Sequence, residues 1–212
     1  MMKTQMKIRY HYINNLILNI YQKLDHILFP IDPHEIIGMI PNCRFLSYAK
    51  FAEINQCSIE DVINICESKS GCTHYDILND RYLILCNQNL SIHNNLGRQR
   101  WTCSHEIAHV ICGHLTDSAY VKLSENGFAI QYDHQFEREA DFFAATLLAP
   151  FPLFQPFHVG SSYDVRKTFG LSKEASDIRY SEYQNWKKFH YKTAWENRIV
   201  KTYYDKLSNL QL

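Results

Sequence analysis

The sequence predicts an α+β fold, mostly helical with a small β-sheet, flanked by helical N- and C-terminal elements. Three observations carry that prediction. Apolar residues recur at spacings of three and four along several stretches. Strand-like runs are few and short, the clearest being a hairpin near residue 80. A chain of 212 residues with 46% hydrophobic and 14% aromatic content can bury a sizeable core, which excludes a wholly disordered chain.

Taken in order, residues 8–28 carry Ile8, Tyr12, Leu16, Ile20, Leu24 and Ile27 at helical spacing, an amphipathic helix ended by Phe29 and Pro30. Asp32 reads as the N-cap of a short helix to Ile40, with Pro33 in the first helical position and Glu35 completing a capping box. A strand over 43–47 and a helix over 48–56 follow. Ser58 caps the next helix, with Asp61 in the box position and Ile59, Val62, Ile63 and Cys66 on one face; Gly71 marks a break. Residues 72–77 and 81–86 read as a hairpin about Asn79-Asp80, and 87–97 as a polar loop.

Two strong helices follow, over 98–115 and 136–148, the second stopped by Ala149-Pro150. Between them, strand-like pieces at 120–123 and 128–132 flank Asn126-Gly127, a good hairpin turn. Beyond Ser161 a helix over 163–169 stops at Gly170, and Ser172 caps another that runs through Trp186. Residues 191–212 mix aromatics and charge with no repeat and no low-complexity tract.

Lysine plus arginine and aspartate plus glutamate both number 22, so no global positive field draws the chain onto nucleic acid or anionic membrane. The apolar run at 16–20 is broken by Asn19 and preceded by Asn14 and Asn15, too short and polar for a secretory segment or a membrane span. Seven irregularly spaced cysteines, an odd number, do not read as a disulfide framework. A cytoplasmic location with reduced thiols is the expectation.

The chemistry concentrates in His105-Glu106-Ile107-Ala108-His109. On a helix, histidines four apart share a face and can offer ring nitrogens to one ion, while Glu106 stands where a carboxylate can take a proton from water. A catalytic zinc needs a third protein ligand. The metzincin solution would place glycine at 112 and histidine at 115, but Cys112 and Leu115 stand there. The gluzincin solution takes a glutamate from a separate downstream helix, with an aspartate one turn on to hold a ligand histidine through its other nitrogen. Glu137 and Asp141 have that spacing. Glu139 competes, but lies about 200° around the helix from Glu137 and lacks an acidic partner four residues on. A peptide-deformylase reading through Gly71-Cys72 fails at Ala108, where an aspartate is wanted, and leaves Glu137 and Asp141 unexplained.

Together the two helices resemble the ImmA/IrrE family of metallopeptidases. The matching residues are Arg98, Arg100, Trp101, Thr102, Ser104, His105, Glu106, Ala108 and His109, then Glu137, Glu139, Ala140, Asp141, Phe143, Ala144, Leu147, Leu148 and Pro150. The resemblance spans about residues 31–185 and is most specific over 98–150; Ala108 departs from a glycine common in the family.

It implies a zincin-like peptidase domain over 31–160, between an N-terminal helix (1–30) and a helical extension (161–212). It also implies Zn2+ held by His105, His109 and Glu137, with Asp141 behind them and Glu106 as the base. The implied partner is a protein substrate, a helix-turn-helix repressor whose cleavage derepresses mobile-element or stress-response genes, with no direct nucleic-acid or membrane partner. Arg100, Tyr132 and His134 are candidate oxyanion donors. The rival readings are a non-cleaving protein that sequesters the repressor on a zinc-stabilised fold, and DNA binding through 165–180. Ser176 and Asp177 argue against the latter, falling where a helix-turn-helix wants an apolar residue.

Overall fold

The structure, a computed structural model, describes residues 7–88, 96–116, 134–189 and 193–209. Its first helix, α1 (Tyr10–Lys23), is shorter than the apolar stripe suggests, because Leu24 leaves helical geometry at ψ 137°. Leu24 and Ile27 still reach the core, from the connection that follows. The helix is also rotated from the expected face: Ile13, Ile17, Leu18, Ile20 and Tyr21 are buried, while Tyr12 is 42% exposed. Two stripes overlap in this segment, and the one that wins ends on Tyr21, whose hydroxyl donates to the Leu147 carbonyl at 2.6 Å. A buried phenol needs such a partner, so that bond sets the rotation.

Asp32 caps α2 (Pro33–Gly38) as expected, but alone: its Oδ1 accepts the His34 N–H and faces the His34 ring, in place of a reciprocal box with Glu35. Strand β1 (Cys43–Ser47) and helix α3 (Tyr48–Asn55) lie where predicted. Helix α4 (Ile59–Cys66) starts at the Ser58–Asp61 capping box, with both reciprocal bonds made. Gly71, expected as a break, opens β2 (Gly71–Asp76), which pairs antiparallel with β3 (Arg81–Cys86). Glycine is required there by close approach: a Cβ would stand 2.8 Å from Thr102 Cγ2 and 3.2 Å from Glu106 Cγ.

The sheet order is β1-β3-β2, with β1 parallel to β3. Side chains alternate across it. Ile84 and Cys86 face the main core, whereas Leu85 and Cys72 join Tyr48, Ala52, Val62 and Cys66 in a smaller core formed with α3 and α4. Helix α5 (Leu96–Ile111) packs on β2 and β3, and α6 (His134–Leu148) packs on α5. A 3-10 turn (Phe151–Leu153) leads to α7 (Ser162–Phe169), which ends at Gly170 with φ 64°.

Helix α8 (Lys173–Phe189) buries Ser176, Arg179 and Tyr183; Arg179 donates to the Ala149 carbonyl and lies over the Phe151 ring, spending its charge inside the fold. A last helix, α9 (Ala194–Ser208), lies in the helical extension expected over 161–212, in a stretch to which no helix bounds were assigned. Its start is marked by the Thr193 N–H donating to the Glu196 carboxylate, and Trp195 ties it to the Asn14 carbonyl of α1. Both terminal helices therefore contribute to the core that supports α5 and α6, Ile13 and Ile199 among them. The hairpin expected about Asn126-Gly127 lies outside the described residues.

Candidate metal centre

Helices α5 and α6 carry alanine at fully buried positions, Ala108 and Ala140, which leaves room for close packing. Their facing sides bring His105, His109 and Glu137 together, with one donor atom from each lying within 4.8 Å of the others. His105 Nε2 is 3.1 Å from Glu137 Oε2 and 3.2 Å from His109 Nε2, and His109 Nε2 is 3.5 Å from Glu137 Oε1. Asp141, one turn along α6, sits 3.1 Å from His105 Nδ1.

Behind His109 is a chain of contacts that reading the sequence did not find. His114 Nδ1 lies 3.1 Å from His109 Nδ1, and His114 Nε2 lies 3.1 Å from Glu139 Oε2. Glu139, the competing ligand, points away from the centre. Its fully buried carboxylate takes the Arg9 guanidinium at 2.6 Å and the Arg9 N–H at 2.9 Å. One proton assignment satisfies the contacts behind the centre: His109 Nδ1–H donates to His114, His114 Nε2–H to Glu139, and His105 Nδ1–H to Asp141. His105 and His109 are then held with Nε2 bare, the tautomer that a cation requires.

Electrostatics agree with that assignment. Burial, reinforced by the nearby His105 charge, pushes the His109 pKa well below its ordinary value, so the ring stays neutral. Burial also lowers His114, against the pull of Glu139. At Glu139 burial would raise the pKa, but the Arg9 and His114 hydrogen bonds outweigh it and hold the carboxyl down. At His105 burial opposes a charge, yet Asp141 and Glu137 overcome it and lift the pKa to about 10. That shift favours a second proton on His105, donated from Nε2 to Glu137, and a cation bound at Nε2 would displace it.

The residues fit a zinc ion. Two imidazole nitrogens and a carboxylate are a catalytic-zinc donor set with one position left for water. Glu137 Oε1 is buried with no hydrogen-bond partner, an acceptor awaiting a positive charge.

Glu106, next to His105, is buried, and that burial raises its pKa to about 7 despite the hydrogen bond from Thr73 and the nearby His105 charge. Thr73 Oγ donates to Glu106 Oε2 at 2.7 Å from β2. The centre opens onto a cavity of about 900 Å³ lined by Gly71, Thr73, Trp101, His109, Glu137 and Phe142 among others.

Of the candidate oxyanion donors, Arg100 is held by the Gly170 carbonyl at 2.8 Å and does not line this cavity, nor does His134 at the start of α6. Tyr132 lies outside the described residues. Cys103 and Cys112 are buried packing residues of α5 and the turn after it. Their neighbour His114 had one local signal: Gly113, at φ 75°, turns the chain so that the His114 N–H returns to the His109 carbonyl. Arg9, 130 residues from Glu139, had none.

Residues 63–181, more than half of the chain, match the IrrE N-terminal-like domain, a peptidase family. The matched segment contains β2, β3, α5 and α6, and so the whole centre except its Arg9 support. No curated protein matches the chain.

Proposed function

Because this chain belongs to the IrrE N-terminal-like peptidase family, we propose that it is a zinc-dependent endopeptidase. Its substrate would be a helix-turn-helix repressor, whose cleavage derepresses mobile-element or stress-response genes. The observation that carries the zinc reading is the convergence of His105, His109 and Glu137 beside a buried carboxylate. The repressor rests on the family resemblance.

Bound by these three side chains, zinc supplies Lewis acidity, polarising a carbonyl and bringing the pKa of water toward neutrality. Thr73 occupies Glu106 Oε2, so proton exchange with the reacting groups runs through Oε1. A pKa of about 7 suits both directions of that exchange: Glu106 removes a proton from water and returns it to the leaving amine. Asp141 and His114 keep the two histidines oriented throughout. A protein that only sequestered its partner would have no use for Glu106, since a structural zinc normally closes all four positions.

Among the described residues no helix is long and apolar enough to cross a membrane. We place the activity in the cytoplasm, where the seven free thiols remain reduced. The test is to sequence the genes that flank its own, to incubate the zinc-loaded chain with any helix-turn-helix repressor encoded there, and to follow fragments by mass spectrometry. Discrete cleavage, blocked by chelator, is expected. A stable complex with an intact repressor would overturn cleavage in favour of sequestration.

A further inference from the structure

On the face of β2 opposite Thr73 lies a second cluster of metal-binding side chains, separate from the His105 centre. Cys66 ends α4, and Cys72 and His74 share one face of β2 because strand side chains alternate. One donor atom from each of the three lies within 4.8 Å of the others, and Cys72 Sγ is 3.4 Å from His74 Nε2. Both cysteines are buried, while His74 is half-buried at the edge of the cluster. We propose that Cys66, Cys72 and His74 form a second metal site for a thiolate-preferring cation, zinc in the first instance, which ties α4 to β2 and takes its fourth ligand from solvent at the half-buried His74 edge.

Two sulfurs and an imidazole select zinc over harder cations. Binding releases both thiol protons, and the two thiolates then neutralise the dication, so no net charge is buried. Buried free cysteines usually serve as small apolar packing groups. Here an imidazole nitrogen is aimed into the pair, which packing does not require. The Tyr48 hydroxyl, fully buried, donates to the Ser68 carbonyl in the chain that links α4 to β2.

The consequence reaches the catalytic side. Thr73 stands between Cys72 and His74 and points through the sheet to Glu106, so a cation on one face fixes the strand that holds the base on the other.

Cobalt(II) titration of the reduced, chelator-stripped chain tests this, because the His105 centre contains no thiolate and is silent in the sulfur-to-cobalt charge-transfer region. A charge-transfer band of one thiolate-bound cobalt per chain is expected, complete by two total equivalents because the His105 centre also takes cobalt, and bleached by zinc. It should persist in His105→Ala and Glu137→Gln, and disappear in Cys66→Ser and Cys72→Ser. His74→Ala changes a half-buried residue and serves where a cysteine variant fails to fold; it should weaken and shift the band. Absence of the band in the parent chain overturns the site whatever the variants do. So does a Cys66–Cys72 disulfide located by peptide mapping of the chain as isolated, before reduction.

Discussion

Replacing Glu106 with glutamine should stabilise the metal-free chain, and by an amount that depends on pH in a defined way. The carboxyl is buried, and that burial, only partly offset by Thr73 and His105, raises its pKa from 4.5 to about 7. An unfolded glutamate ionises near its ordinary value. Between those two values the folded chain binds more protons than the unfolded one, so its stability falls as pH rises, and the full penalty is present above the folded-state value. At about 1.4 kcal/mol per pH unit the interval amounts to about 3 kcal/mol. Glutamine keeps the shape and carries no such penalty. In urea unfolding with chelator present, Glu106→Gln should match the parent below about pH 4.5 and exceed it by about 3 kcal/mol above about pH 7. For a chain of this size that corresponds to roughly 6–12 °C in Tm. A difference that stays constant with pH, or a glutamine variant less stable at alkaline pH, would refute the claim that burial dominates at Glu106.

Three other perturbations follow from the same geometry. Arg9→Ala leaves the Glu139 carboxylate buried without its cationic partner, keeping only the backbone N–H of residue 9, His114 and Gln135; allowing for the partial exposure of Arg9, the loss should be about 2–4 kcal/mol by urea unfolding, recovered in part by adding Glu139→Gln. Equal stability of Arg9→Ala and parent would contradict it. His114→Ala removes the acceptor for His109 Nδ1–H and should weaken zinc binding roughly 10–100-fold in competition with a chromophoric chelator; unchanged affinity would remove His114 from the account. Gly71→Ala drives a methyl group against Thr102 and Glu106, so it should cost about 1–3 kcal/mol and lower activity even where the chain is fully folded. Undiminished activity would show that β2 does not position Glu106.

What could be read in the sequence was what depends on near neighbours along the chain. The Ser58–Asp61 box, the hairpin about Asn79-Asp80, and the pairs His105/His109 and Glu137/Asp141 are all contained within a helical turn or a tight turn, and the structure has each in place. The misses are of other kinds. In α1 two apolar stripes overlap, and only Tyr21 reaching Leu147 selects between them. Gly71 reads as a break from its own properties, whereas its function is to let α5 approach β2. The distinct positions of Glu137 and Glu139 follow from the helix period, yet the use made of Glu139 depends on Arg9, brought to it by the packing of α1 on α6. Helix α9 did have a local signal, Thr193 three residues before Glu196, obscured by the aromatics and charges around it.

The proposed zinc binding at His105, His109 and Glu137 and the proposed proton transfer by Glu106 can both be read from a single pair of proteins. Zinc content and repressor cleavage should be measured on the parent and on Glu106→Gln under identical loading. Equal zinc content is predicted, with cleavage slowed roughly 10²–10⁴-fold in the variant. Full-rate cleavage by zinc-loaded Glu106→Gln would contradict the account.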